Sequence, residues 1–226
     1  MAPPHWRSRL ARFAAVIFDM DGVLVDGEPM HFAAVNEVLA EEGLAMSFED
    51  YRPHMGTKYG WQEMVADLGL KHPKDHYSAL FRTMMTERYR DCSLPLPGAV
   101  PLVRSLEAAG VPIAVCSSSI VPWVDACLSK IGILDAFDAI ITGTDVEHGK
   151  PAPDIYLLAA ERLGIEPVQC LAIEDAPAGI QSARKSGMTV WAVRTEYTRD
   201  LELPNADRIL ESLEDIAIEE LIGVAA

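Results

Sequence analysis

The chain has 226 residues, of which 50% are hydrophobic and 23% charged, a composition typical of a globular protein with a packed core. Its formal net charge of -15 argues against general attraction to nucleic-acid backbones or anionic membranes, so a phosphate ligand needs a local metal ion or lysine. No apolar stretch reaches the roughly 20 residues that cross a bilayer, and the four cysteines lack the spacing of a zinc site. We therefore expect a cytoplasmic protein that binds neither nucleic acid nor membrane.

The first predicted strand, residues 16–18, ends in two carboxylates, Asp19 and Asp21, separated by one residue. Its short β-branched and aromatic run is typical of a buried strand in a parallel sheet, where ligands bind beyond the carboxyl ends of the strands. One carboxylate can attack or bind a metal ion while the other transfers a proton. The alternative is an acidic turn in which Gly22 supplies an unusual backbone angle.

Helical patterns dominate the next part of the chain. The helices are predicted near residues 28–42, 48–54, 60–68 and 74–91. The proline-rich run 94–98 ends this block, because it breaks helices and suits a linker. We predict that residues 27–95 form an all-helical insertion, and that residues 1–26 and 96–226 together form an α/β core.

Beyond this linker, helix and strand patterns alternate. The strands are predicted near residues 112–116, 138–141, 170–173 and 189–193, and the helices near residues 99–109, 121–130, 153–163 and 177–186. Strands separated by helices of this length form right-handed βαβ units, so we predict a Rossmann-like parallel sheet that includes the first strand. The tail after residue 201 is expected to add a last strand or helix.

Polar side chains follow three of these later strands. The serine run 117–119 precedes one helix, Lys150 lies in a loop stiffened by two prolines, and Glu174 and Asp175 precede another helix. Each has an ordinary explanation, because serines cap helices, loop lysines are usually solvated and acids favour a helix N-terminus. Alternatively, a hydroxyl and backbone N–H groups at a helix N-terminus hold a phosphate oxygen, and the acids bind a metal ion.

Four motifs at successive strand ends resemble those of the haloacid dehalogenase superfamily, whose phosphotransferases use an aspartate nucleophile. They are Phe18–Asp26, Ser117, Gly149–Asp154 and Glu174–Ile180. The resemblance implies that Asp19 becomes an aspartyl phosphate and that Asp21 is the general acid and base. Dehalogenases of this superfamily lack the second aspartate of the first motif, so Asp21 favours phosphoryl transfer.

The resemblance also implies the phosphate ligands. Ser117 would bind the phosphate through its hydroxyl and Ser118 through its backbone N–H, whereas Ser119 would cap the following helix. Lys150 would neutralise both the phosphate and the nucleophile, bringing two anions close enough to react.

The metal implied by the resemblance is Mg²⁺. Its ligands would be Asp19, the backbone carbonyl of Asp21, and Asp175, with Glu174 binding directly or through water. Carboxylate oxygens with retained waters and a substrate phosphate are the ligands that Mg²⁺ prefers.

Within the superfamily, the run from Glu28 to His31 resembles the beta-phosphoglucomutase-like group, in which a histidine assists proton positioning. The predicted insertion is similar to the helical cap of this group in position, size and character. The mutase has an arginine for the distal phosphate where this chain has Tyr59, with Lys58 adjacent, which argues against mutase activity. Lys58 is therefore a candidate substrate ligand, and Arg82 could supply charge instead.

These residues predict a Mg²⁺-dependent phosphatase of small phosphorylated metabolites, sugar phosphates above all, with a cap that closes over the site and chooses the substrate. One alternative is a hexose phosphate mutase of the beta-phosphoglucomutase type. A second is a catalytically silent phosphate-binding module on the same fold. We expect a monomer, and the sequence leaves a dimer open.

Overall fold

The structure is a computed structural model and describes residues 12–51 and 60–222. Its strands are β1 (Ala15–Phe18), β2 (Ile113–Ser117), β3 (Ala139–Thr142), β4 (Cys170–Glu174), β5 (Thr189–Val193) and β6 (Arg208–Leu210). In the described residues they form one six-stranded sheet in the order β3-β2-β1-β4-β5-β6, and every pairing is parallel.

The strand β1 lies inside the sheet because all four of its residues are apolar and fully buried. It pairs with β2 on one side and β4 on the other. Val16 and Phe18 pack into the apolar cluster on one face of the sheet, and Ala15 and Ile17 into the cluster on the other. A strand buried on both faces is a rigid support for the acidic residue that follows it.

The helices are α1 (Glu28–Ala40), α2 (Phe48–Tyr51), α3 (Trp61–Leu68), α4 (Lys74–Cys92), α5 (Ala99–Ala108), α6 (Val121–Lys130), α7 (Asp154–Leu163), α8 (Pro177–Lys185) and α9 (Ile218–Ile222). The helices α1 to α4 follow β1 and share their own apolar cluster, which includes Val38, Trp61 and Tyr77. The chain leaves β1 and returns at neighbouring points, where Val25 pairs with Pro95 in an isolated bridge. The predicted fold class is confirmed, while domain boundaries at residues 26/27 and 95/96 stay a prediction.

A few elements differ from their predicted limits. The helix predicted near 48–54 is described only as α2, since residues 52–59 lie outside the described part of the chain. Both β2 and β4 run one residue further than predicted, so Ser117 and Glu174 are the last residues of their strands. The tail supplies both a strand, β6, and a helix, α9. Within the described residues no helix has the length and apolar character needed to cross a membrane.

Candidate active site

The carboxyl ends of the inner strands meet at one cavity of about 250 Å³. Asp19 follows β1, Ser117 ends β2 and Glu174 ends β4, so the parallel register places the three residues side by side. Lys150 enters from the loop between β3 and α7, and Asp175 continues from β4. The cavity therefore lies where ligands of open α/β sheets bind.

The buried ammonium of Lys150 ties two strand ends together. Its Nζ donates a hydrogen bond to Asp19 Oδ1, another of 2.6 Å to Glu174 Oε1, and a third of 3.1 Å to the carbonyl of Cys116. Burial favours the neutral amine, but the charges of Asp19 and Glu174 outweigh it and raise the pKa of Lys150 above its ordinary value. Lys150 is therefore a fixed positive charge beside Asp19.

Two glycines let the carboxylates approach the backbone closely. A Cβ atom at Gly22, whose φ is +85°, would lie 2.1 Å from Asp175 Oδ2. A Cβ atom at Gly179 in α8 would lie 1.9 Å from Glu174 Oε1. Any larger side chain at either position would displace an acidic group of the cavity.

The acidic groups fit a magnesium ion. Carboxylate oxygens of Asp19, Glu174 and Asp175 lie within 4.8 Å of one another. Burial, with the repulsion of the neighbouring carboxylates, raises the pKa of Asp19 and of Asp175 well above the ordinary range. Lys150 supplies one positive charge against these three acids, so a bound divalent cation would relieve an excess of buried negative charge.

The carboxylate of Asp21 is held by two hydroxyls. The Tyr89 hydroxyl donates to Oδ1 at 2.7 Å, and the Ser119 hydroxyl lies 3.4 Å from Oδ2. The prediction that Ser119 caps the next helix is therefore wrong, because its hydroxyl turns toward Asp21 and Ile120 occupies the cap position without a side-chain hydrogen bond. Burial raises the pKa of Asp21 despite these contacts, which favours a carboxyl that can give up a proton to a leaving group.

His31 reaches Asp21 through Tyr89. Its Nε2 lies 2.7 Å from the Tyr89 oxygen, whose proton is committed to Asp21, so Nε2 carries the hydrogen in this arrangement. Burial lowers the pKa of His31, which keeps the ring neutral. The chain of groups His31, Tyr89 and Asp21 thus connects α1 and α4 to the loop after β1.

The haloacid dehalogenase-like hydrolase family model matches residues 13–187. The chain belongs to this family. It is 37% identical over 185 residues to the fructose-1-phosphate phosphatase YqaB of Escherichia coli, covering 81% of this chain and 97% of that protein. It is 31% identical over 211 residues to the putative phosphatase YhcW of Bacillus subtilis, covering 92% and 96%.

Among solved structures, the chain is similar to CbbY from Rhodobacter sphaeroides in complex with phosphate. The TM-score is 0.83 at 28% sequence identity, and the match covers 92% of this chain and 99% of that one. This haloacid dehalogenase-like hydrolase therefore shares nearly its whole length with the relatives it matches.

The structure brings most of the predicted site residues of this hydrolase together. Those that line the cavity are Asp19, Asp21, His31, Ser117, Ser118, Lys150, Glu174 and Asp175. Ser117 Oγ accepts a hydrogen bond of 3.1 Å from the backbone N–H of Ser119, which leaves its own proton for a ligand. The predicted substrate ligand Lys58 lies outside the described residues.

Sequence reasoning missed the tyrosines that support the acids. Tyr156 in α7 donates a hydrogen bond of 2.5 Å to Glu174 Oε1, and Tyr89 holds Asp21 as described above. Both side chains are fully buried on helix faces, where a tyrosine is indistinguishable from an ordinary core residue. A buried hydroxyl needs a partner, and that requirement is the one signal that could have found them.

Proposed function

We propose that this hydrolase is a Mg²⁺-dependent phosphatase of small phosphorylated metabolites, sugar phosphates above all, and that it acts through an aspartyl phosphate. The observation that carries the proposal is that one cavity holds both Asp19, bonded to the ammonium of Lys150, and a second acid, Asp21, bonded separately to Tyr89. The name of YqaB, a fructose-1-phosphate phosphatase, supports a sugar phosphate as substrate.

The proposed first step is attack of Asp19 on the substrate phosphorus. Lys150 offsets the negative charge of both partners, because its ammonium is fixed beside Asp19 in a buried site. Asp21 gives its proton to the leaving alkoxide oxygen, so the alcohol departs neutral and Asp21 becomes a carboxylate. The products of this step are the free alcohol and the phosphorylated Asp19.

The proposed second step is hydrolysis of the aspartyl phosphate. The carboxylate of Asp21 takes a proton from water as the water oxygen attacks phosphorus. The bond from phosphorus to Asp19 breaks, which releases inorganic phosphate and restores both carboxyl groups to their starting forms. Tyr89 keeps Asp21 in place for both proton transfers.

Binding of the phosphate is assigned to the end of β2. Ser117 donates its hydroxyl proton and Ser118 its backbone N–H to phosphate oxygens, next to the ammonium of Lys150. Mg²⁺, when bound, would supply further positive charge to the phosphoryl oxygens. Asp19, the Asp21 backbone carbonyl and Asp175 would hold it.

Glu174 has a second assignment in this proposal. Its Oε1 already accepts hydrogen bonds from Lys150 and Tyr156, while Oε2 lies 3.2 Å from the backbone nitrogen of Asp175. Because both oxygens of this carboxylate already have hydrogen-bond partners, we assign Glu174 to binding Mg²⁺ through water and to positioning Lys150.

Residues 27–95 are proposed to form the cap, which excludes water and selects the substrate. His31 in α1 and Lys58 are its proposed contributions to proton positioning and substrate binding. The hydrogen bond from Tyr89 in α4 to Asp21 supports this assignment, because it couples the insertion to the reacting groups.

The test is phosphate release from a panel of sugar phosphates with Mg²⁺, for the wild type and Asp19→Asn. We expect phosphate release by the wild type and none by Asp19→Asn. When the wild type reacts with a substrate labelled in its phosphate group and the reaction is quenched with acid, radioactive label should remain on the protein. Asp135→Asn, which removes an exposed carboxylate paired with Arg104, is the matched control and keeps full activity. Isomerised sugar without net phosphate release would replace the proposal with a mutase, and Mg²⁺ binding without turnover on any substrate would replace it with a silent binding module.

A further inference from the structure

Three large aromatic side chains line one part of the cavity. Trp61 of α3, Phe81 of α4 and Trp123 of α6, here called the aromatic wall, all face the cavity. Their rings follow one another edge to face: Trp61 and Phe81 have centroids 5.9 Å apart, and Phe81 and Trp123 also 5.9 Å. The wall is therefore one continuous apolar surface built from three helices.

Neighbouring side chains fix the two tryptophans of the aromatic wall in position. Trp61 stacks on the buried Tyr77 with centroids 5.6 Å apart and ring planes 24° apart. Trp123 packs against Tyr89 at 5.9 Å, and its Nε1–H donates a hydrogen bond of 3.0 Å to Thr86 Oγ1. The hydrogen-bond donor of this indole is thus already used, and the ring is fixed before any ligand binds. A preformed apolar surface loses little conformational entropy on binding.

Apolar and polar groups both lie beside the aromatic wall, and the ring centroid of His31 is 5.7 Å from that of Phe81 and 6.1 Å from that of Trp123. Val35, Met46 and Met64 also line the cavity. The polar pair beside them, Glu28 and Tyr51, is joined by a hydrogen bond of 3.1 Å. Among the described residues that line the cavity, Lys150 is the one lysine or arginine. Its ammonium is already bonded to Asp19 and Glu174.

We infer that the aromatic wall selects a monophosphate ester whose body is a saturated ring, such as a pyranose or a cyclitol, over an open-chain ester. This inference rests on the proposed phosphatase function and adds the shape of the substrate. A ring presents a flat C–H face that an aromatic surface covers without hydrogen bonds. An open chain of the same number of carbons loses the freedom of several bonds when it packs against the wall.

The test compares glucose 6-phosphate with sorbitol 6-phosphate, which have equal numbers of carbons and the same position of the phosphate. For the wild type we expect kcat/KM to favour the ring by about tenfold, through KM. Phe81→Leu and Trp123→Leu should bring the ratio close to one by raising KM for the ring. Because Phe81 is partly exposed, Phe81→Leu keeps the test valid even where Trp123→Leu fails to fold.

Phe137→Leu is the matched control, since Phe137 is partly buried and contacts Phe18 rather than the cavity. It should keep the wild-type preference for the ring. Equal ratios in the wild type and Phe81→Leu, or a wild-type preference for the open chain, would overturn the inference.

Binding to the Asp19→Asn variant separates this inference from the proposed function. Calorimetric titration with the two phosphates and Mg²⁺ needs no turnover. Tighter binding of the ring, lost in Asp19→Asn combined with Phe81→Leu, supports the aromatic wall even for a chain that hydrolyses neither ester. Hydrolysis of both esters with equal affinity would uphold the phosphatase and refute the selection of rings.

Discussion

The hydroxyl of Tyr89 lies 2.7 Å from Asp21 Oδ1 and 2.7 Å from His31 Nε2, although these residues are 68 and 58 positions away in the chain. The helix α4 thereby fixes the acid that follows β1. Position and protonation of Asp21 both depend on this contact, because the hydrogen bond from Tyr89 opposes the rise in the pKa of Asp21 that burial causes.

We expect Tyr89→Phe to lower kcat by about tenfold to a hundredfold, since a mispositioned general acid loses part of its contribution. The pKa of Asp21 should rise further without the hydrogen bond, which moves the basic limb of the rate profile, where Asp21 loses the proton it donates, to higher pH. Steady-state kinetics between pH 5 and 9 measure both effects. Tyr77→Phe is the control, because Tyr77 is equally buried in α4 but bonds to Glu42 instead; a similar loss in both variants would contradict a specific role for Tyr89.

Gly179→Ala should damage the proposed Mg²⁺ site more than it damages the helix α8. The added methyl would collide with the carboxylate of Glu174, which then shifts away from Lys150 and its neighbours. We expect weaker Mg²⁺ binding by calorimetry and a fall in kcat of about a hundredfold, the scale of a displacement near 1 Å at a reacting site. Ala178→Gly in the same turn costs about 1 kcal/mol of helix stability and should keep Mg²⁺ affinity. If Gly179→Ala binds Mg²⁺ as tightly as the wild type does, the close approach of Glu174 to the backbone of Gly179 is not needed for metal binding.

Asp175→Asn should be more stable than the wild type when Mg²⁺ is absent. Burial first, and then repulsion by Asp19 and Glu174, raise the pKa of Asp175, so the folded state loses stability as pH rises above about 4 and this carboxyl ionises. At pH 8 we expect urea unfolding to give Asp175→Asn a higher free energy of unfolding than the wild type. Addition of Mg²⁺ should raise the Tm of the wild type and leave that of Asp175→Asn unchanged. A Tm increase of equal size in both proteins would exclude Asp175 as a metal ligand.

Glu28 should also make the free energy of unfolding depend on pH, because its carboxyl is buried. Burial first, and then the charge of Asp21, raise its pKa to about 7. Between pH 4.5 and 7 the folded state holds a proton that the unfolded state has released, so this residue lowers the stability of the wild type as pH rises through that window. Glu28→Gln removes the effect and keeps an acceptor for Tyr51, so its advantage over the wild type should grow by about 2 kcal/mol from pH 5 to pH 8.

Urea unfolding without Mg²⁺ measures this difference, and Glu49→Gln, at an exposed position in α2, is the control for loss of one carboxylate. The same change with pH in both variants would refute the assignment to Glu28.

The strand ends were predictable because each depends on local sequence. An apolar run followed by a charged or hydroxyl residue identifies Asp19, Ser117 and Glu174 without knowledge of the rest of the chain. Parallel pairing then requires that these residues meet at one edge of the sheet. These candidate site residues could therefore be predicted from the sequence, even though 98 positions separate Asp19 from Ser117 and 57 separate Ser117 from Glu174.

The supporting contacts were not predictable in the same way. The rotation of α4 about its axis decides whether Tyr89 or a neighbour reaches Asp21, and that rotation follows from packing against α1 and α6. Ser119 shows the same limit at short range: its sequence favours a helix cap, and the nearby carboxylate of Asp21 draws the hydroxyl elsewhere. Tertiary contacts decide such cases.

The hydrogen bond between Trp123 and Thr86 also bears on how this enzyme could be re-engineered or could have diverged. Trp123 belongs to α6, beyond the predicted insertion, yet it completes a surface whose other members come from α3 and α4. Transplanting residues 27–95 onto the core of a relative would separate these partners and leave Thr86 and Phe81 beside a foreign helix. On the inference above, the aromatic wall that sets substrate preference combines residues of the predicted insertion with Trp123 of α6, so a functional chimera has to exchange both.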